Sequence, residues 1–138
     1  MKTFFSILLI MSLLIIGGVT GAESEEICAT WINKEYKFQQ YQKRVFNLDG
    51  TIKFYRYEDS PDPDFEGSYS IDEKWTDSDE RIWYKVKAAG EFHKNQVEYY
   101  LLCRITNSGK MLEFVFHISD YHKKLNPNHP TYRVYYRK

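Results

Sequence analysis

Beyond residue 22, the apolar positions of this chain fall in short runs that alternate with polar ones and are separated by turn residues. That is the period-two pattern of half-buried β-strands. Strands are predicted over 28–33, 44–48, 51–57, 68–75, 81–88, 96–106, 111–119 and 131–137. Within them Ile52 and Phe54 share a face, as do Ile82, Tyr84 and Val86; Tyr99, Leu101, Cys103 and Ile105; Leu112, Phe114, Phe116 and Ile118; and Tyr132, Val134 and Tyr136. Lys53, Arg81, Lys85, Lys87, Arg104, Glu113, Arg133 and Arg137 occupy the opposite, wet face.

Asp49-Gly50 predicts a two-residue hairpin with positive φ at both positions. TDSDE at 76–80 and Asn107 to Lys110 join two further hairpins, and DSPDPDFEG at 59–67 and DYHKKLNPNHP at 120–130 are loops. The polar-aromatic segment 34–42 is a loop or one or two helical turns. Eight hairpin-connected strands form an up-and-down antiparallel barrel or a two-sheet sandwich, and the short meander connections favour the barrel. An eight-strand interior has room for side chains or for one small ligand.

Residues 1–22 have the form of a signal peptide: Lys2, an apolar run from Phe4 to Val19, then Thr20-Gly21-Ala22 before an acidic stretch. The run is shorter than the roughly 20 residues that span a bilayer. Cleavage after Ala22 leaves residues 23–138 as one barrel domain, secreted or periplasmic, with no membrane span. The 19 basic and 19 acidic residues balance, and loss of Lys2 tips the mature chain only slightly negative, which gives no steering toward nucleic acid. Of 3 Trp, 12 Tyr and 9 Phe, only Phe4 and Phe5 leave with the leader, a surplus that suits an aromatic-lined barrel.

In an eight-strand meander the first strand begins where the last finishes. Trp31 and Arg137 therefore meet at one end, the floor, where the guanidinium stacks on the indole. Cys28 and Cys103 fall at the same end. In an oxidising compartment they are a candidate disulfide, provided the incoming segment crosses beneath the barrel.

The ordered set T-W-I-N-K-E-Y at 30–36, V-F-N-L-D-G-T at 45–51, G-S-Y at 67–69, K-W-T-D at 74–77, I-W-Y-K at 82–85, S-G-K-M-L-E at 108–113 and N-H-P-T-Y-R-V-Y-Y-R at 128–137 covers most of the mature chain. In this order the segments resemble small secreted bacterial lipocalin-like domain proteins. The resemblance implies a ligand-binding barrel and carries no particular ligand. The chain departs from the lipocalin signature at Ala29, where that signature has glycine, and Ser119-Asp120-Tyr121 matches its Thr-Asp-Tyr motif loosely.

Catalytic and metal chemistry find little support. His117, His122 and His129 lie close in sequence, but on an outer strand face and in a loop, where solvation explains them. Turn formation and solubility explain the carboxylates of 59–66 and 77–80, and the second cluster lacks the glycine and the third acidic position of an EF-hand loop. There is no G-x-S-x-G elbow, and Cys103 faces the apolar side. The expected protein is non-catalytic, without metal or cofactor, and takes a small hydrophobic or amphipathic molecule among Phe54, Tyr69, Tyr84, Tyr99, Leu101, Phe114, Phe116, Tyr132 and Tyr136. The alternative is a packed barrel acting through its outer face on a protein partner at the cell surface, as a binding or inhibitor module. Trp83 between Arg81 and Lys85, with Tyr135, would be its contact patch.

Overall fold

The computed structural model describes residues 25–35, 41–106 and 108–138. The predicted leader and the middle of the 34–42 segment lie outside them. The strands are β1 (Thr30–Ile32), β2 (Lys43–Phe46), β3 (Thr51–Tyr55), β4 (Phe65–Thr76), β5 (Ile82–Phe92), β6 (Asn95–Thr106), β7 (Met111–His117) and β8 (Arg133–Arg137). Each pairs antiparallel with the next, and β8 returns to β1, with Trp31 opposite Arg137 and Ile32 opposite Tyr136. The all-β, eight-stranded up-and-down barrel is thus the observed architecture, and closure leaves no open sheet edge.

Turn chemistry departs from expectation at two places. The β2–β3 connection is a four-residue turn, with Gly50 N–H donating to Asn47 O and only Gly50 at positive φ (85°); Asp49 instead accepts from Thr51 N and Oγ1. Strands β5 and β6 extend farther than predicted and meet in a two-residue turn, His93-Lys94, both at positive φ without a glycine.

Near the β5–β6 turn, β4 and β5 approach closely. Gly67 and Gly90 lie opposite each other, and a Cβ on either would sit 2.7 Å from the other's Cα. Farther along, the register of β4 against β5 slips between Ile71 and Glu73. This bulge inverts the alternation. Tyr69 and Ile71 pack against the core, but Trp75 faces outward, where it stacks on Trp83 with ring centroids 5.6 Å apart.

The interior is filled by Trp31, Phe46, Ile52, Phe54, Phe65, Tyr84, Val86, Ala88, Leu101, Cys103, Ile105, Leu112, Phe114 and Tyr135. The last of these corrects the predicted face of β8. Tyr135 is fully buried and stacks on Phe114 at 5.5 Å, with Arg133 and Arg137 on its side of the strand. Tyr132 and Tyr136 face outward: Tyr132 Oη bonds Glu113, and Tyr136 lies under Lys34 Nζ. The physical reason is that Arg133 and Arg137 are at home against aromatic faces, over Phe116 and Trp31 respectively.

Candidate functional site

The two ends of the barrel differ in kind. At the floor Trp31 is fully buried, its indole N–H donates to Ile27 O at 2.9 Å, and the Arg137 guanidinium lies 4.9 Å from its ring centroid. Arg137 also donates to Gly109 O (2.8 Å) and Glu26 O (2.5 Å), tying the β6–β7 turn to the incoming chain. Tyr84 Oη donates to Glu25 at 2.8 Å, and Lys74 pairs with the same carboxylate. Tyr69 Oη donates to Asn47 O. Burial raises both phenols' pKa values, so both remain protonated donors.

The predicted disulfide does not form: both cysteines are free. Ile27, rather than Cys28, is the fully buried residue beneath Trp31. Cys28 turns toward β4, its Sγ 3.1 Å from Tyr69 Oη. Cys103 is buried in the β6 wall, opposite Tyr84 and Phe114. Burial pushes its thiol pKa well up, the reverse of what a nucleophile needs.

The other end, the mouth, gathers the β1–β2, β3–β4, β5–β6 and β7–β8 connections. There, an interior position carries an arginine. Arg44 lies opposite Phe54 on β3, on the same face as Phe46, and is 5% exposed. Its guanidinium carbon stands 4.0 Å from the Phe54 ring centroid, 4.7 Å from Phe114, and 5.3 Å from both Tyr41 and Tyr135. Its Nε donates to Tyr135 Oη at 3.0 Å, and that hydroxyl donates to Tyr41 O.

Arg44, Tyr41, Phe54, Tyr99, Leu101 and Phe116 enclose a cavity of about 30 Å³. Burial pushes the Tyr41 phenol up to about 12 and also raises Tyr99, with the nearby Arg44 charge opposing both shifts. Arg133, at the rim, has its pKa lowered by burial and then by the like charge of Arg44.

Of the predicted interior residues, Phe54, Tyr99, Leu101 and Phe116 come together at this cavity. Phe114 lies against the Arg44 guanidinium, Tyr69 and Tyr84 belong to the floor, and Tyr132 and Tyr136 are outside. Arg44 and Tyr41 were missed. The signal for Arg44 was its position two before Phe46, in a strand whose partner carries Ile52 and Phe54 inward.

On the outer wall, the chain from Ser119 to Tyr132 lies beside β5–β7. His122 Nε2 is 2.9 Å from Phe116 O, and Tyr121 Oη donates to Asp72 at 2.6 Å. A groove of about 600 Å³ runs between this segment and Trp75, Trp83, Lys85 and Leu102. Trp83 Nε1 donates to Asp77, and this bond, followed by those from Arg81 and Asp79, holds the Asp77 carboxyl well below the usual carboxylate range. Arg81 also pairs with Asp77 at 2.8 Å. Tyr135, expected in an outer patch with Trp83, is inside.

The His117, His122 and His129 rings gather in sequence, with centroids 5.9 and 4.4 Å apart. However, His117 Nδ1 and His129 Nδ1 contact the hydroxyls of Ser119 and Thr131. Among the described residues no group of three or more ligating side chains is arranged to hold a metal. Compared with protein-family models, curated proteins and solved structures, the chain matches none of them.

Proposed function

We propose that the chain is a secreted or periplasmic, lipocalin-like binding barrel that takes a small amphipathic molecule at its mouth, without catalysis. The observation that carries this reading is the cavity between Arg44, Tyr41, Phe54, Tyr99, Leu101 and Phe116, which sets a single charged group in an otherwise aromatic and aliphatic wall. Such a combination, mostly apolar with a few placed polar groups, is how small-molecule sites orient a guest. In the absence of a guest the space suits roughly two waters. A larger molecule would enter by displacing Tyr41 and Phe116 toward the mouth.

A second reading rests on the outer groove. The stacked Trp75 and Trp83 pair, half-buried beside Leu102, is the kind of aromatic anchor on which a protein partner docks. The two readings separate with an environment-sensitive apolar dye and native mass spectrometry of the secreted protein. Leu101→Trp fills the cavity and abolishes dye binding and any companion mass, whereas Trp83→Ala leaves both intact. Dye binding that survives Leu101→Trp and disappears with Trp83→Ala would overturn the interior reading in favour of the outer face.

A further inference from the structure

The outer wall carries a row of side chains held in place before any guest arrives. Without the bulge after Ile71, Trp75 would follow Tyr69 and Ile71 into the core; with it, Trp75 faces outward opposite Trp83, which in turn stands opposite Arg104. The Arg104 guanidinium lies 5.3 Å from the Trp83 ring centroid, and its Nη2 donates to both Glu113 oxygens at 2.9 and 3.0 Å. Tyr132 Oη also donates to Glu113. At the other end, the pairing of β3 with β4 runs only to Ser68, so Trp75 ends the row. The indole planes are 7° from parallel with centroids 5.6 Å apart. At a contact distance of about 3.5 Å between planes, that separation means a stagger of about 4 Å, so the pair forms a step with part of its faces uncovered.

The groove beside this step, about 600 Å³, has the size of a small-molecule site. Its rim is balanced in charge. Glu73 pairs with Lys85 at 3.0 Å, and Asp77 with Arg81 at 2.8 Å. Asp120 and Lys123 are the remaining acid and amine. One Asp120 oxygen accepts from Tyr121 N, and Lys123 Nζ and Trp75 Nε1 have no hydrogen-bond partner among the described residues. No net field selects a charged guest. A protein partner needs roughly 800 Å² from each side, several times what two half-buried indoles present.

Independently of the interior site, we infer that this groove binds a neutral, β-linked oligosaccharide of gluco-configured sugars. One sugar ring lies against the step of Trp75 and Trp83, and Asp120, Lys123 and Trp75 Nε1 bond hydroxyls along the chain. In such a ring the polar substituents are all equatorial, so both faces present C–H groups to an indole while the hydrogen-bonding groups lie at the edge. The β-linkage keeps successive rings extended, as a groove requires, whereas an α-linkage coils them. Because Arg104 and Glu113 already hold Trp83, binding orders little further.

The experiment is isothermal titration calorimetry of the full secreted chain with cellotetraose, chitotetraose and maltotetraose. The expected result is that cellotetraose or chitotetraose binds at least about tenfold more tightly than the α-linked maltotetraose, and that Trp75→Ala weakens this binding about tenfold or more, the loss typical of a central aromatic anchor. Trp75→Phe, with a smaller ring and no N–H, should retain part of it. Equally tight binding of maltotetraose overturns the β-linked assignment. No binding of any of the three overturns the inference and leaves the indole pair to a protein partner, with the interior reading untouched. Binding unchanged in Trp75→Ala places the sugar elsewhere and overturns the site. The wild-type comparison decides the ligand class even if a variant fails to fold.

Discussion

Replacing Trp31 by Phe tests whether the floor is the structural keystone that its contacts imply. The substitution keeps an aromatic ring under Arg137 but deletes the indole N–H that satisfies Ile27 O at 2.9 Å. An unpartnered buried acceptor costs about 1–3 kcal/mol. The smaller ring leaves a void worth a further ~1 kcal/mol at roughly 24 cal/mol per Å³. The expected loss is about 2–4 kcal/mol, which at a urea slope of about 2 kcal/mol/M lowers the unfolding midpoint by about 1–2 M.

Arg137→Gln should cost less, about 1 kcal/mol. Its side chain is 32% exposed, so water takes over part of its bonding to Gly109 and Glu26. Trp31→Ala combined with Arg137→Gln completes a cycle on the stack itself, whose coupling should be about 0.5–1 kcal/mol at a centroid distance of 4.9 Å. The assay is urea unfolding followed by circular dichroism, with the slope checked for constancy. A Trp31→Phe midpoint indistinguishable from wild type, or full additivity in the cycle, would refute the keystone reading.

Three other outcomes follow from the same geometry. Gly67→Ala should prevent barrel closure or cost more than ~3 kcal/mol, because its Cβ would stand 2.1 Å from Ala89 O with no flexible side chain to yield; native-like thermal unfolding of the variant would contradict this. On acidification, Asp77, whose folded pKa is depressed by its bonds from Trp83 and Arg81, contributes stability above the ordinary carboxylate pKa and loses it as pH falls through the lower folded value. The midpoint difference between wild type and Asp77→Asn should therefore shrink below about pH 4, and a constant difference would be the contrary result. On the alkaline side, Tyr41, Tyr69, Tyr84 and Tyr99 have folded pKa values raised by burial, so their stabilisation is complete below pH ~10 and is lost as pH rises toward the folded values. Their tyrosinate absorbance should appear together with unfolding, whereas gradual titration of a still-folded barrel would count against their burial.

How legible the barrel was depends on how each strand encodes its parity. In β3, β6 and β7 the inward residues are apolar throughout, while the outward ones include Lys53, Glu98, Arg104 and Glu113, so period two suffices. In β8 the two faces are Arg133, Tyr135 and Arg137 against Tyr132, Val134 and Tyr136; hydropathy selects the second set, while the structure buries the first. It does so because arginines at both strand ends find aromatic faces, and Tyr135 finds Arg44. Trp75 escaped for another reason: the bulge after Ile71 changes its side, and no residue type there announces the slip. The cysteines share an end in the topology, but β1 and β6 are separated by four intervening strands on one side and by β7 and β8 on the other.

These departures converge on one asymmetry that hydrophobic patterning cannot express. At the floor, the indole N–H of Trp31, the phenols of Tyr69 and Tyr84 and the guanidinium of Arg137 each meet a partner supplied by the chain. At the mouth, Arg44 is 5% exposed, has no carboxylate partner among the described residues, and is held by them through one hydrogen bond, from its Nε to Tyr135 Oη. A barrel needing only a packed core gains nothing from that position, since an apolar residue of similar volume is commonly neutral or stabilising in place of a buried charge. A binding site gains the one group that can hold a guest in a fixed orientation.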